Sequence, residues 1–454
     1  MIPYLLYPIV RFALWIFFRR LEVRGCEQVP VGRPLIFLAN HPNVMLDALL
    51  LAAFAPGPFP RFLGKTTLFK NALYTFLLRR MGAIPVARSQ DPGGQVGRNQ
   101  DMLREACQTL EQGGSLALFP EGLSRAGLQL RPFKPGAARI ALRVEDETQG
   151  RAGLCIIPVG LTYSDPGLFR SEVVLHFGTP VEVRPFLESY RTNRGVAAQE
   201  LTALLYQRLV RLTLHLENPD LESGLRDLAA VYTENILHYF PASAPLSQRL
   251  LASQEMVRAV SYYARTEPEL VHALSERLRR HLDHLHRLDL QPQALSPLAS
   301  PAGWGRLALT LLLAPLALYG FLGNLLPYFL PQFYVRGYRE EPEMLGTVKF
   351  ALGALAFPLF YLVLTFIAHW SLGWQYALLF GCTLPGSALV ILFYKERLLE
   401  KWPLWKKLIA PRQRRHQLRQ LAQERRLLIG DLDQIKDRYL ATPIEPQGGA
   451  DETA

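Results

Sequence analysis

The sequence predicts an α/β domain, a mixed sheet flanked by helices, followed by a helical insert and C-terminal transmembrane helices. Three observations predict it. Short apolar runs alternate with helical stretches through the first 190 positions. Apolar residues then recur every three or four positions across 191–300. Beyond Arg306, charge vanishes from two long stretches.

Composition narrows the class. The 454 residues are 49% hydrophobic and 20% charged, which excludes wholesale disorder. Gly 33 and Pro 34 are scattered without period, which excludes a collagen-like fibre. The four cysteines, Cys26, Cys107, Cys155 and Cys382, form no C-x-x-C pair. A disulfide framework or zinc knuckle is therefore not expected, no metal site is assigned, and a reducing compartment fits.

Residues 1–19 are expected to form a membrane-associated N-terminal helix. The segment is apolar from Ile2 to Phe18 and has no basic region ahead of the apolar run, so it does not read as a cleaved signal peptide. Arg11, Arg19 and Arg20 would face lipid phosphates. A buried core helix is the plainer alternative.

Residues 20–190 carry the α/β pattern. PLIFLAN, SLALFP, LCIIPVGLTY and EVVLHFG read as strands; DALLLAAFA, LFKNALYTFLLRRM and VGRNQDMLREACQTLEQG read as helices. Residues 191–300 form the helical insert. Residues 301–394 are the membrane region. No Asp, Glu, Lys or Arg occurs between Arg306 and Arg336, nor at the 45 positions from 350 to 394. One crossing needs about 20 apolar residues, so 348–394 reads as a hairpin turning near Ser371–Trp374. Gly320, Gly323, Pro327 and Pro331 make 307–334 read as a kinked or re-entrant segment.

Residues 395–454 are expected to be a basic tail. Positions 395–426 hold 11 Lys/Arg against three Glu, much of the chain's net +11. The positive-inside rule places this tail, and with it the α/β domain, on the cytoplasmic side. The charge also suits anionic lipid head groups. No nucleic-acid motif accompanies it, so nucleic acid is not an expected partner.

Four blocks could carry chemistry. In the first, a strand ends at Asn40-His41-Pro42-Asn43 and a helix follows, with Pro42 suited to the first helical position. Asp47 lies within two turns. It could hold one imidazole nitrogen of His41 while the other takes a proton from an alcohol. A surface turn is the plain alternative. The second block is Phe119-Pro120-Glu121-Gly122, followed by Ser124-Arg125 and by Lys134. Its cations could bind a phosphorylated ligand; a charged loop is the alternative. The third is Gly82–Arg88, a short strand ending in a cation, and the fourth is Ile157-Pro158-Val159-Gly160.

In this order the blocks resemble the glycerolipid acyltransferases, most closely the fungal-type glycerol-3-phosphate/dihydroxyacetone-phosphate branch. The resemblance covers residues 18–190 well and the rest in outline. It implies that His41 is the general base and that Asp47 orients it. It implies that Arg88 holds the acceptor phosphate, that Glu121 and Gly122 help bind glycerol phosphate, and that Pro158 shapes the acyl-side wall. Lys134 and Arg125 join the substrate-binding candidates. The implied reaction moves a fatty acyl group from a thioester of CoA or acyl carrier protein to glycerol 3-phosphate. Dihydroxyacetone phosphate is a second acceptor, lysophosphatidate is the alternative, and no further cofactor is required.

Two features depart from the family pattern. Five residues separate His41 from Asp47 instead of four, and one helical residue turns a side chain by about 100°. The extra residue must be absorbed around Pro42-Asn43. The familiar F-P-E-G-T-R also breaks after Gly122, where Leu123-Ser124 precedes Arg125.

Rival readings rest on weaker patterns. Gly122-Leu-Ser124-Arg-Ala126 is one residue short of a nucleophile elbow, and Pro-Glu-Gly separates its serine from the strand. A membrane scaffold or transport protein, with the front domain as a lipid-binding module, is a further reading; a transporter would show intramembrane charges or repeats, and the long apolar stretches show neither. His281, Asp283, His284 and His286 are read as a solvated helical face, because two-residue spacings do not converge on one side of a helix.

Overall fold

The computed structural model describes residues 2–66, 75, 79–80, 82–86, 99–238, 245–288, 303–338, 341–396 and 412–442. Two compact units result. One comprises Met1–His215, Pro245–Leu250 and Leu326–Val363; the other comprises Leu216–Ala244, Leu251–Leu325 and Leu364–Ala454.

The first unit is built on a mixed sheet. Its strands are β1 (Arg20–Arg24), β2 (Leu35–Ala39), β3 (Arg61–Lys65), β4 (Ile84–Val86), β5 (Ser115–Leu118), β6 (Cys155–Tyr163), β7 (Glu172–Phe177) and β8 (Val181–Glu182). Their order is β1-β7-β6-β2-β5-β3-β4, with β8 on β6. β6 pairs antiparallel with β7 and β8, and the other pairings are parallel. The sequence pattern found β2, β4, β5, β6 and β7. It missed β1 and β3, whose ends are basic residues flanking a short, mostly apolar run, and the two-residue β8.

Central strands are apolar throughout because both sheet faces are covered. In β2, Ile36 and Leu38 point to one face. They pack with Leu116 and Ile156 under α3 (Asn99–Glu111), α4 (Gly136–Glu147) and, beyond α5 (Leu187–Thr192), α6 (Arg194–Leu212). Leu35, Phe37 and Ala39 point to the other face, with Ile157 and Val159, under α1 (Ile2–Phe17) and α2 (Val44–Phe54). Full burial of a side chain such as Phe37 contributes about 2 kcal/mol.

β2 lies between β5 and β6 and runs parallel to both. The loops after β2 and β5 therefore leave the same edge of the sheet. Open α/β sheets bind ligands in the crevice outside such carboxyl ends.

Helix α1 corrects part of the N-terminal expectation. Its 16 residues rise about 24 Å, short of a bilayer core of roughly 30 Å. One face is core: Leu14 and Phe17 are buried. Arg11 does not reach for lipid phosphate. Its Nε donates to the Ala53 carbonyl at 2.8 Å, near the C-terminal end of α2, and its guanidinium lies over the Tyr7 and Phe54 rings. Ile9, Phe12 and Trp15 form an exposed apolar face.

The second unit holds α7 (Glu222–His238), most of α8 (Leu246–Thr266), α9 (Pro268–Arg287) and α13 (Arg412–Ala441). Helix α13 falls within the stretch expected to be a basic tail, yet it buries Leu421, Leu428, Leu432 and Tyr439. Tyr232 donates to Asp433, Arg277 to Asp431 at 2.7 Å, and Arg438 to both carboxylate oxygens of Glu267 at 2.9 Å. The insert from Glu222 onward shares a core with this helix, whereas α6, at the start of the expected insert, packs on the sheet of the first unit, so the α/β domain runs past residue 190 to about His215. The solvated-face expectation also fails for His281, which is buried on α9, whereas His284 is half exposed.

Between them run α10 (Gly303–Tyr334), α11 (Pro342–Leu372) and α12 (Trp374–Tyr394). Among the described residues, three segments are long and apolar enough to cross a membrane: Leu311–Tyr338, Pro342–Leu372 and Trp374–Tyr394. The hairpin turn falls at Gly373, whose φ is +77°. Helix α10 is one continuous helix rather than a re-entrant segment. Its glycines serve close packing instead of chain reversal. A Cβ on Gly320 would meet the Ser387 carbonyl at 2.5 Å, and Gly323 abuts Leu384.

Candidate active site

The site begins where β2 ends. Asn40 bridges to β6: its Nδ2 donates to the Leu161 carbonyl at 2.9 Å, and its Oδ1 accepts the Leu161 N–H at 2.7 Å. His41 follows immediately. Helix α2 starts at Val44, not at Pro42, and Asn43 occupies the N-cap. Pro42 and Asn43 thus take up the extra residue, and Asp47 falls in the first turns of α2.

That turn brings the imidazole and the carboxylate together. His41 Nδ1 donates to Asp47 Oδ2 at 2.8 Å. The backbone N–H of Asn43 donates to the same oxygen at 2.7 Å, and the Tyr163 hydroxyl donates to Oδ1 at 2.6 Å. Burial pushes the Asp47 carboxyl up, and the bonds from His41, Tyr163 and Asn43 oppose the rise. Burial and the Asp47 charge drive the Tyr163 phenol well above its usual range, so it stays a donor. The His41 ring stacks on Phe119, with centroids 3.9 Å apart and planes 11° apart.

The loop after β5 closes the other side. The Arg125 N–H and the Ser124 hydroxyl both donate to the His41 carbonyl, at 3.1 and 2.9 Å. Glu121 accepts from the His41 N–H at 3.1 Å and from the Arg131 N–H at 3.4 Å. Burial pushes its carboxyl up. One carboxylate oxygen thus holds the backbone of His41 and the other that of Arg131. Gly122 sits at φ +76°, and a Cβ there would meet Lys134 Nζ at 2.8 Å. A side chain would be strained and would displace the lysine.

His41 opens onto a cavity of about 690 Å³. Arg125 and Arg131 line it, as do Val44, Ser124, Glu343 and Met344. Such a volume suits a ligand of metabolite size. Pro158 lies elsewhere: it is buried within β6, in register with Leu38 and against Gly178. Arg88 lies outside the described residues. The sequence pattern missed Arg131 and Tyr163. An arginine just before the Phe133-Lys134 pair, and a tyrosine ending a buried strand beside β2, are the signals that could have found them. No group of three or more His, Cys, Asp or Glu able to hold a metal occurs among the described residues.

Comparison with known proteins places this geometry in a class. Residues 20–162 match the family model described as Acyltransferase. Similar proteins include an uncharacterized acyltransferase of Schizosaccharomyces pombe, 34% identical over 26% of this chain and 18% of its own length. A chloroplastic 1-acyl-sn-glycerol-3-phosphate acyltransferase of Brassica napus is 29% identical over 32% of this chain and 38% of its own. Glycerol-3-phosphate O-acyltransferase 1 of Saccharomyces cerevisiae is 27% identical over 36% of this chain and 21% of its own. The chain thus spans well under half the length of these relatives. The similarity to the Acyltransferase model runs from β1 into β6. Relatives of both printed names stand at similar identity, so the fungal-type branch is not singled out.

Proposed function

We propose that this chain transfers a fatty acyl group from an acyl thioester, of CoA or acyl carrier protein, to a hydroxyl of glycerol 3-phosphate. Dihydroxyacetone phosphate is a second acceptor. The observation that carries this reading is the His41–Asp47 pair facing a cavity lined by Arg125 and Arg131. With Nδ1 held by Asp47, Nε2 is the nitrogen left for the acceptor. It takes the hydroxyl proton as the oxygen attacks the thioester carbonyl. The C–S bond breaks, and the imidazolium returns the proton to the leaving thiolate. Asp47 stabilises the imidazolium while it lasts. A positioned base of this kind contributes roughly 10²–10⁴-fold. In this reading Arg125 and Arg131, which line the cavity, receive the acceptor phosphate, while Lys134, Arg88 and an acyl-side role for Pro158 rest on the resemblance alone.

The similarity to a relative named as a 1-acyl-sn-glycerol-3-phosphate acyltransferase favours a second reading, in which the acceptor already carries one acyl chain. An acceptor panel separates the two. Purified protein is given a labelled long-chain acyl-CoA, or an acyl carrier protein thioester, with glycerol 3-phosphate, dihydroxyacetone phosphate or lysophosphatidate. The His41→Ala protein is the blank. Transfer to glycerol 3-phosphate that vanishes in the variant supports the first reading. Transfer only to lysophosphatidate supports the second. No transfer from either donor overturns both.

The same reading makes the chain an integral membrane protein with its catalytic domain and basic segment on the cytoplasmic side. With both on one side, an even number of crossings separates the catalytic domain from the basic segment. Helices α11 and α12 cross and return. Membrane-impermeant labelling of a cysteine placed in the basic segment, in sealed vesicles of known orientation, tests this.

A further inference from the structure

Helix α11 reads as a membrane span, yet its first turns are part of the catalytic domain. Phe350 packs edge-on against Phe17, with ring centroids 5.5 Å apart. Lys349 Nζ donates to the Gly167 carbonyl at 2.7 Å. Gly346 approaches so closely that a Cβ would meet the Pro166 carbonyl at 2.2 Å and Asn43 Nδ2 at 2.6 Å. Only glycine permits that contact.

The point of contact is the N-terminus of α2. The first N–H groups of a helix lack intrahelical partners, and an N-cap Asn usually accepts one of them. Asn43 makes no such cap bond. Its side chain is engaged elsewhere: Nδ2 donates to the Pro166 carbonyl at 2.6 Å, and Oδ1 accepts from the Thr347 hydroxyl at 3.0 Å. The orphan N–H of Met45 is capped instead by Thr347 Oγ1, at 3.0 Å. One hydroxyl from a residue 304 positions away thus accepts from the α2 terminus and donates to its cap residue. Asn43 is fully buried, and its own N–H holds Asp47 Oδ2.

We propose that Thr347 is a positioning residue of the active site, through which the membrane helix α11 sets the His41–Asp47 geometry. The proposal rests on the acyl-transfer reading. Without the hydroxyl, the part-buried Met45 N–H loses its acceptor and the buried Asn43 Oδ1 loses its donor. Asn43 can relieve this by capping its own helix, which requires its backbone to leave the present φ of −146° and ψ of 86° and so shifts the N–H that holds Asp47.

The test compares Thr347→Val, Thr347→Ala and Thr347→Ser in the full-length protein. Valine keeps the shape and loses the hydroxyl. Serine keeps the hydroxyl. Alanine stands in should the valine protein fail to fold. The expected result for valine or alanine is a fall in kcat of about 30-fold with KM within about twofold, the signature of a misplaced reacting group. Serine should stay within about threefold of the parent. A second readout needs no substrate: the rate at which diethyl pyrocarbonate modifies His41, followed by peptide mass spectrometry. It should rise several-fold in the valine protein and not in the serine protein. Unchanged kcat and unchanged His41 reactivity in the valine protein would overturn the proposal. So would equal impairment of valine and serine, which would mark a packing role. If the parent transfers no acyl group at all, the functional reading fails, and His41 reactivity still decides the role of Thr347.

Discussion

His41 and His281 are each largely buried beside a carboxylate, and their environments differ in every respect that matters for proton transfer. His41 lies 2.8 Å from Asp47, keeps 14% of its side chain exposed, and shows a ring nitrogen to a cavity. His281 lies 3.6 Å from Glu424, beyond hydrogen-bond distance, and is only 2% exposed. Neither of its ring nitrogens makes a hydrogen bond among the described residues. Asp47 is fully buried, and its oxygens accept from a tyrosine and a backbone amide as well as from the histidine. Glu424 is half exposed and also lies 3.9 Å from His284. Residue type alone does not make a base. Orientation by fixed donors, and access for an acceptor, do.

The largest effect should separate the pairs outright. His41→Ala is expected to lower acyl transfer by about 10³-fold. His281→Ala should leave it within about twofold, because it touches no part of the cavity. Steady-state rates on the two purified variants check this, and a large loss in the second would break the contrast. Asp47→Asn comes next, at about 10²-fold in kcat. An amide cannot accept from three donors without turning its own N–H groups against one of them. A smaller effect should come from Tyr163→Phe, which leaves Asp47 Oδ1 without its donor. About tenfold in kcat is expected, equivalent to losing one bond to a charged group. If kcat is unchanged, the carboxylate does not need its second anchor.

Much of the first pair was legible in the sequence. The strand pattern located β2 and β5, and their parallel pairing brings the His41 and Glu121 blocks together. The five-residue gap was legible as a problem. Its solution, a helix starting at Val44 with Asn43 at the cap, was not, because Pro42 is an equally good first helical residue. Thr347 was invisible: a threonine at the start of an apolar helix signals nothing until the chain folds back on itself. Gly122 was expected to help bind substrate; its left-handed backbone and the lysine lying across it add a conformational demand that the sequence did not reveal. His281 was legible and misread. Leu278, His281, Leu282 and Leu285 recur at i, i+3, i+4 and i+7, the stripe of a buried helix face, and all four are buried. The arginines between them drew the reading to solvent.

The smallest expected effect concerns the stability of the helical unit. Burial pushes the His281 imidazole below its ordinary value of 6.5, and Glu424 offsets this only in part. A histidine whose folded pKa lies below its unfolded one binds its proton more readily in the unfolded chain. Its contribution to stability is therefore intact above about pH 6.5 and is lost as the pH falls through the lower, folded value. Thermal unfolding of the full-length protein in detergent, followed by circular dichroism, should show a midpoint that drops between pH 8 and pH 5. His281→Leu fills the same apolar stripe without a titrating group. It should flatten that dependence and raise the midpoint at pH 5 by about 2–4 °C, with acyl transfer unchanged. If the leucine protein melts lower at both pH values and loses transfer as well, the buried imidazole has a partner in the bundle that its geometry does not reveal. The second pair would then have to be counted as functional alongside the first.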